Sequence, residues 1–142
     1  MLAEQKMRWL VDQDLPQLEA EDPDVLPVTR YGRDVITEAL EQERWVVTRN
    51  QHLLDARTIP FHCPPIVIVG NGFCTQEGLR RNLVHLEFCL RRALVDGAQE
   101  GQRFFMELDR AVYRVRPEGG LQELEMWKSP SAKVVLAWGA SA

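Results

Sequence analysis

The sequence has few cysteines, no long apolar run and no excess of positive charge. Its three cysteines are an odd number without a short-spaced pair, which disfavours a disulfide framework and suits a reducing compartment. The longest apolar runs are far shorter than the roughly 20 residues that a membrane-spanning helix needs. Residues 1–7 also lack the apolar core of a signal peptide. These absences predict a cytoplasmic protein that does not associate with a membrane.

Several motifs of nucleotide and hydrolase chemistry are also missing. The chain carries 17 basic and 21 acidic residues, and its net charge of −4 provides no global attraction for nucleic acid. There is no Gly-x-x-x-x-Gly-Lys-Ser/Thr loop, and Gly70-Asn71-Gly72 lacks the third glycine of a dinucleotide fingerprint. A Gly-x-Ser-x-Gly elbow is absent as well. Nucleotide-dependent chemistry and acyl-transfer hydrolysis therefore have no support.

The residues that are present predict a folded α/β protein. A chain of 142 residues with 45% hydrophobic side chains can bury a core of its own. Fully apolar runs alternate with amphipathic segments, which is typical of a mainly parallel sheet covered on both faces. The predicted strands are Met7–Val11, Val25–Thr29, Trp45–Val47, Ile66–Val69 and Lys133–Trp138, and the predicted helices are Leu15–Glu21, Arg33–Glu43 and Thr75–Val95. Alternation after Gly97 predicts a β-hairpin over residues 103–127.

Two aspartates, Asp12 and Asp14, follow the first predicted strand. Ligands of parallel α/β sheets bind at the carboxyl ends of the strands. Carboxylate oxygens are the ligands that Mg²⁺ and Mn²⁺ prefer. The alternative is that one of the two aspartates caps the next helix through its side chain. The sequence therefore predicts a divalent-metal site or a helix cap at this position.

A second polar group follows the strand Trp45–Val47. It contains Thr48, Asn50 and His52, and pairing of parallel strands would bring it near Asp12. Asn50 could orient a metal-bound water, and His52 could bind metal or carry a proton. The alternative is the capped start of a short helix.

Asp34 and Glu38 lie four residues apart on the predicted helix Arg33–Glu43. This spacing places both carboxylates on one face, from which they could join the same cleft. The alternative is an ordinary solvated pair at the start of the helix.

Two further groups of residues could bind a ligand, and each also has a purely structural interpretation. His85 and Cys89 have the i, i+4 spacing of zinc ligands, but no Cys-x-x-Cys pair accompanies them, and buried thiols are the stronger prediction. An arginine cluster could hold RNA phosphates or form the solvated flank of a leucine stripe. The cluster comprises Arg80, Arg81, Arg91 and Arg92.

Two segments of the chain resemble a known family. Arg8–Pro16 resembles the opening Leu-Val-Asp-Glu-Asn-Leu-Pro of the small bacterial PIN-like domains, relatives of toxin-type and mut-seven C-terminal-type ribonucleases. Ala39–Asn50 is similar to the helix-to-strand passage of that family, which ends in Thr-Arg-Asp followed by another acid, and Ile66–Val69 is similar to its next strand. The likeness covers roughly residues 7–95.

The resemblance implies a three-layer α/β/α PIN-like domain over residues 1–96, with a mainly parallel sheet and a β-rich extension over 97–142. It implies a site where Asp12, Asp14 and Asp34 bind Mg²⁺ or Mn²⁺ and activate water against an RNA phosphodiester bond. Asp14 takes a position where the family has Asn. Asn50 and His52 stand where the family has two acids, and here they would orient water or substrate.

These departures leave two hypotheses about function. The first is a metal-dependent ribonuclease that uses the five residues named above. The second is a PIN-like module that has lost catalysis and binds RNA or a protein, which could be a second copy of the chain, through the terminal hairpin with Trp127 and Trp138 as anchors. Each carboxylate that is lost removes one negative charge from the expected metal site, so weak metal binding is predicted.

Overall fold

One seven-stranded sheet organises the chain. The structure, a computed structural model, describes residues 7–12, 14–16, 25–27, 34–58, 62–70, 75–94 and 101–127. The strands are β1 Trp9–Val11, β2 Val25–Pro27, β3 Trp45–Thr48, β4 Ile66–Val69, β5 Arg103–Glu107, β6 Ala111–Val115 and β7 Leu121–Met126. The helices are α1 Val35–Gln42, α2 Gln76–Ala93 and the short 3₁₀ helices Gln51–Leu54 and Ala56–Thr58.

The order of the strands in the sheet is β2-β1-β3-β4-β5-β6-β7. From β2 to β5 each strand pairs parallel with its neighbour, whereas β5, β6 and β7 pair antiparallel. The register aligns Val11 with Val47 and Val47 with Val67. The carboxyl ends of β1, β3 and β4 therefore lie side by side at one edge of the sheet, which we call the carboxyl edge.

Helix α2 covers one face of this sheet. Its side chains Leu79, Leu83, Leu86 and Leu90 are buried together with residues from β1, β3, β4, β5 and β6. The predicted leucine stripe is thus confirmed as the inner face of the helix. Thr75 caps the start of α2, because its side chain accepts a hydrogen bond from the backbone N–H of Gly78 at 3.0 Å.

Helix α1 covers part of the opposite face. Val35, Ile36 and Ala39 are buried against Leu10 of β1 and against residues of β3 and β4. In the described part of the chain, this second core contains no residue of β6 or β7. Among the described residues, the helices therefore cover the two faces of the sheet to different extents.

The prediction of a three-layer PIN-like fold with a mainly parallel sheet and an added hairpin is wrong. The sheet is mixed and antiparallel in its C-terminal half, and the described residues form only two α-helices. The apolar periodicity of a strand reports which faces are buried, but it does not report the direction of the neighbouring strand. Turns around Asp109 and Gly119 reverse the chain and make the last three strands antiparallel.

Residues 101–127 continue the sheet that residues 7–70 begin. β5 is hydrogen-bonded along β4, and the ring of Phe104 stacks on that of Trp45 at a centroid distance of 5.8 Å. Phe104, Met106 and Val112 are fully buried in the core of α2. The strands after residue 97 therefore share one core with the strands before it.

The positions of most predicted elements are confirmed within the described residues. The strands around Trp9, Trp45, Ile66 and Arg103 and the helices α1 and α2 lie where the sequence predicts them. Most of the predicted helix at residues 15–21 and the last predicted strand at residues 133–138 lie outside the described residues. None of the helices in the described ranges is long and apolar enough to cross a membrane.

Candidate functional site

The carboxyl edge brings together polar side chains that are far apart in sequence. Asp12 follows β1, and Thr48 ends the neighbouring β3. The hydroxyl of Thr48 donates a hydrogen bond of 2.7 Å to Oδ2 of Asp12, and the backbone N–H of Asp12 donates one of 2.8 Å to the carbonyl of Val47. Thr48 is fully buried and Asp12 is half-buried. These contacts hold the Asp12 carboxylate in one orientation at the carboxyl edge.

Asp14 lies beside Asp12 at the surface. Partial desolvation raises the pKa of Asp14 above its ordinary value of 3.8, and the negative charge of Asp12 raises it further. A hydrogen bond from the backbone N–H of Arg49 and the positive charge of Arg49 lower this pKa without cancelling the upward shift. Asp12 and Asp14, which we call the acid pair, are therefore close enough for the charge of Asp12 to raise the pKa of Asp14.

Asp34 lies at the start of α1. It caps α1: its Oδ1 accepts a hydrogen bond from the N–H of Ile36 at 3.2 Å, and its Oδ2 accepts one from the hydroxyl of Thr37 at 2.8 Å. Glu38 is buried and accepts a hydrogen bond from the side chain of Gln42 at 2.9 Å. The alternative that Asp34 begins the helix accounts for its contacts, whereas Glu38 is buried rather than solvated.

Asn50 and His52 form the capped helix start that was the alternative for this segment. The side-chain oxygen of Asn50 accepts a hydrogen bond of 3.1 Å from the N–H of His52, which begins the 3₁₀ helix Gln51–Leu54. The N–H of Asn50 in turn donates to the hydroxyl oxygen of Thr48 at 3.1 Å. The His52 side chain is exposed. Thr48 thus connects the acid pair with this capped turn.

Two residues that sequence reasoning did not select position the same turn. The Gln51 side chain donates a hydrogen bond of 3.2 Å to the carbonyl of Val69 at the end of β4. The buried guanidinium of Arg103, on β5, donates to the carbonyls of Leu53 and Leu54 at 3.2 and 2.6 Å. Neither residue carries a sequence signal, because each contact depends on strands that pair only in the folded sheet.

The three predicted metal ligands lie on two elements of the described chain: Asp12 and Asp14 follow β1, and Asp34 caps α1. In the parts of the chain that the structure describes, no group of three or more His, Cys, Asp or Glu side chains is placed to hold a metal ion. The acid pair supplies two carboxylates, and one oxygen of Asp12 accepts the Thr48 hydrogen bond. Both oxygens of Asp34 are engaged in the cap of α1. The metal site of Asp12, Asp14 and Asp34 stays a prediction from the resemblance.

For the cysteines and the arginine cluster, the described contacts are those of structural residues. Cys63 and Cys89 are buried free thiols, and burial together with Glu125 raises the pKa of Cys89 to about 12, so this thiol stays protonated. Cys74 lies outside the described residues. Three arginines of the predicted cluster form ion pairs with neighbouring acids. These pairs are Arg81 with Asp109, Arg91 with Glu87, and Arg92 with Glu125.

Comparison of the chain with protein-family models, with curated proteins and with solved structures gives no significant match. The resemblance to PIN-like domains therefore rests on the short motifs around Asp12 and Thr48 alone. The function has to be inferred from the geometry of the site.

Proposed function

We propose that this chain is a binding module whose acid pair receives a basic side chain, an arginine or a lysine, of a partner protein. The observation that carries the proposal is the placement of two hydrogen-bonded carboxylates after β1: the Thr48 hydroxyl donates to Oδ2 of Asp12, and the N–H of Arg49 donates to the Asp14 carboxylate. The raised pKa of Asp14 agrees with this placement. A positive group placed between two such carboxylates removes their repulsion and supplies hydrogen-bond donors to both.

The surroundings of the acid pair support this use. Thr48 fixes the Asp12 carboxylate and the N–H of Arg49 holds that of Asp14, so that neither side chain can turn away without losing a hydrogen bond. Fixed acceptors lower the entropy that a ligand loses when it binds. A guanidinium is planar and carries five donors, which suits two carboxylates that face the same gap.

The charges of the acid pair and of several exposed arginines elsewhere on the described surface favour a protein over RNA. Without a bound cation, the acid pair repels phosphate. The exposed guanidinium of Arg57 is already paired with Asp55, and those of Arg81 and Arg92 are paired with their own acids. The net charge of −4 acts in the same direction.

The binding proposal is tested with a hexa-arginine peptide and the ¹⁵N-labelled full chain. We expect the amide signals of Asp14, Thr48 and Arg49 to shift most, and we expect Asp14→Asn to weaken the affinity about tenfold because one charge-assisted contact is lost. Glu118→Gln is the matched control, since it removes one exposed acid from the turn between β6 and β7. Equal weakening by both variants, or no binding at all, contradicts the proposal.

The ribonuclease predicted from the resemblance has a test of its own. Wild-type chain and Asp12→Asn are incubated with single-stranded RNA in the presence of Mg²⁺ or Mn²⁺. The binding proposal expects the two to leave the RNA equally intact. Cleavage by the wild type that Asp12→Asn abolishes would overturn the proposal in favour of a metal-dependent nuclease. RNA binding at the acid pair that is tighter than peptide binding would overturn the choice of a protein partner.

A further inference from the structure

The face of the sheet that carries α1 continues into the antiparallel half. Phe105 of β5 packs at the border of the core under α1, and in the described part of the chain no residue of β6 or β7 belongs to that core. Phe105 pairs with Tyr113 of β6, and Tyr113 pairs with Glu123 of β7. Residues directly opposite one another on neighbouring strands point to the same face. This face therefore carries Phe105 and Tyr113, which are half-buried, and Glu123, which is exposed.

The rings of Phe105 and Tyr113, which we call the aromatic pair, are held by neighbouring groups. Their centroids lie 6.2 Å apart, with an angle of 43° between the ring planes. The ring of Phe105 lies against Gly70 at the end of β4, where a Cβ atom would come within 2.1 Å of Cζ of the ring. The hydroxyl of Tyr113 donates a hydrogen bond of 3.1 Å to Oε1 of Glu107. Rings that are already fixed lose little entropy when a ligand binds.

Two carboxylates lie beside the aromatic pair. Glu107 accepts the hydrogen bond of Tyr113, and Glu123 is the neighbour of Tyr113 on β7. Desolvation raises the pKa of Tyr113, and Glu107 and Glu123 raise it further, whereas the charge of Arg110 lowers it. Glu123 forms no ion pair with any residue that the structure describes. Its negative charge is therefore available to a ligand of the aromatic pair.

Aromatic rings beside carboxylates fit a positively charged side chain. The face of an aromatic ring attracts a guanidinium or an ammonium group. Glu107 and Glu123 can add charge-assisted contacts to the same group. The bases of RNA can also stack on such rings, but the two carboxylates repel the phosphates that come with them. The charges therefore favour a basic side chain over RNA.

The aromatic pair and the acid pair lie on the same face of the sheet. The register pairs Thr48 with Ile68 and Ile68 with Phe105, and Asp12 is hydrogen-bonded to Thr48 at the start of this row. Neighbouring strands are about 4.8 Å apart. Asp12 on β1 is separated from Phe105 on β5 by three strand spacings and from Tyr113 on β6 by four. The aromatic pair is therefore about 14–19 Å from Asp12 across the sheet.

We propose that the aromatic pair, together with Glu107 and Glu123, binds a second basic side chain of the partner protein whose first basic side chain enters the acid pair. This inference rests on the function proposed above. An extended segment advances about 3.3 Å per residue, so two side chains that reach both sites are about five residues apart. The partner segment therefore carries an arginine or lysine at one position and another about five residues further on.

Two peptides of equal composition test the spacing against the ¹⁵N-labelled full chain. In acetyl-Arg-Gly-Ser-Gly-Ser-Arg-amide the arginines are five residues apart, and in acetyl-Arg-Arg-Gly-Ser-Gly-Ser-amide they are adjacent. We expect the spaced peptide to bind about fivefold tighter, because it reaches both sites at once. It should also shift the amide signals of Phe105 and Tyr113 together with those of Asp14 and Thr48. Equal affinities for the two peptides overturn the inference.

Substitutions at the aromatic pair test the site itself. We expect Tyr113→Leu to bind the spaced peptide about fivefold more weakly, whereas the matched control Tyr113→Phe, which keeps the ring, loses less. Glu123→Gln changes only an exposed carboxylate, so it tests the site even if Tyr113→Leu fails to fold. We expect it to weaken binding about twofold, and we expect Glu118→Gln to leave binding unchanged. Unchanged binding in Glu123→Gln, or equal losses in Tyr113→Leu and Tyr113→Phe, contradicts the site.

The pattern of shifted signals separates this inference from the function proposed for the acid pair. If the spaced peptide shifts Asp14 and Thr48 but not Phe105 and Tyr113, the acid pair binds a basic side chain and the second site is wrong. If it shifts Phe105 and Tyr113 alone, the proposed function is wrong and the aromatic pair is supported as a cation site. Single-stranded RNA that shifts Phe105 and Tyr113 at a lower concentration than the peptide does would overturn the choice of a basic side chain.

Discussion

Aspartates in the parallel and antiparallel halves of the sheet have different charged neighbours. In the parallel half, Asp12 and Asp14 lie beside one another at the carboxyl edge, and their mutual repulsion contributes to the raised pKa of Asp14. In the antiparallel half, Asp109 accepts hydrogen bonds from Arg81 and from the buried Asn82. Parallel strands end at one edge and collect their polar ends there, whereas antiparallel strands end at alternate edges. Arg81 thus forms an ion pair with Asp109, whereas the charge of Arg49 lowers the pKa of Asp14 without cancelling the upward effect of desolvation and of Asp12.

We expect the largest loss of stability from a substitution where the parallel and antiparallel halves of the sheet join. Phe104 is fully buried on β5 and stacks on Trp45 of β3. We expect Phe104→Ala to lower the free energy of unfolding by about 3–5 kcal/mol, because a large aromatic side chain leaves the shared core. Chemical denaturation followed by tryptophan fluorescence and by circular dichroism measures this loss. Two separate unfolding transitions would contradict one shared core and would support a domain boundary near residue 96.

The next effect concerns the turn between β5 and β6. Asn82 is buried and makes three hydrogen bonds: to the carbonyl of Gly78 at 2.8 Å, to the Asp109 carboxylate at 3.2 Å, and from the N–H of Asp109 at 2.7 Å. We expect Asn82→Ala to cost about 1–3 kcal/mol, since buried partners lose their hydrogen bonds.

The matched control for this prediction keeps Asn82 and removes the exposed partner of the same acid. Arg81→Ala breaks the Arg81–Asp109 ion pair, whose side chains are 53% and 52% exposed. We expect a loss below about 1 kcal/mol because solvent screens this pair. Equal losses in the two variants, measured by urea unfolding, would show that the buried amide of Asn82 does not hold the turn.

Thr48 offers a similar test in the parallel half. Its hydroxyl donates to Asp12 and accepts from the N–H of Asn50. We expect Thr48→Val, which keeps the shape of the side chain, to lower the free energy of unfolding by about 1–2 kcal/mol, and we expect Thr48→Ser to lower it less because the hydroxyl remains. Thr48→Val should also weaken peptide binding. An unchanged affinity in Thr48→Val would show that the orientation of Asp12 does not matter.

The smallest effect is the pH dependence of two aspartates. The pKa of Asp14 is raised in the folded chain, so the folded state binds this proton more tightly, and stability falls as pH rises from 3.8 through the raised pKa. We expect Asp14→Asn to raise the stability near neutral pH by less than about 1 kcal/mol, because the side chain is exposed. Well below pH 3.8, where both states hold the proton, we expect no difference.

The pKa of Asp55 is shifted in the opposite direction, so Asp55 serves as the control. Its hydrogen bond with Arg57 lowers its pKa to about 2, so the stability that it contributes is present above 3.8 and is lost as pH falls towards 2. We expect Asp55→Asn to destabilise the chain at neutral pH and to have no effect below 2. Thermal unfolding of both variants across this pH range measures these effects on stability. If Asp14→Asn and Asp55→Asn change the stability at neutral pH in the same direction, the opposite pKa shifts of the two aspartates are contradicted.

The sequence predicted local features better than the relations between distant segments. The β-branched run Ile66–Val69 and the spacing of the leucines in α2 were sufficient to place those elements, because each pattern reports burial directly. The hydrogen bond between Thr48 and Asp12 joins residues 36 positions apart and depends on the register of β1 and β3. The proximity of the two polar groups was predicted, but the hydrogen bond itself could not be.

The errors have a common physical cause. A hairpin was predicted over residues 103–127, but this range forms three strands, because the chain also turns at Asp109 between β5 and β6. Alternation does not show which strand lies at a free edge, so the pairing of β5 with β4 was missed as well. Asp34 and Asn50 were predicted as site residues, with a helix start as the alternative, and the structure shows both of them capping helices. Their predicted role in the site stays a prediction. The acid pair, Thr48 and Asn50 all follow or end β1 and β3 at the carboxyl edge.

The most direct test of the binding proposal is a carbon-detected NMR titration of the Asp14 carboxyl group with and without saturating hexa-arginine. If a basic side chain enters the acid pair, the raised pKa of Asp14 falls when the peptide is bound, because a positive charge then faces the carboxylate. A pKa that stays unchanged at saturation, or that falls with Mg²⁺ but not with the peptide, would contradict the proposal.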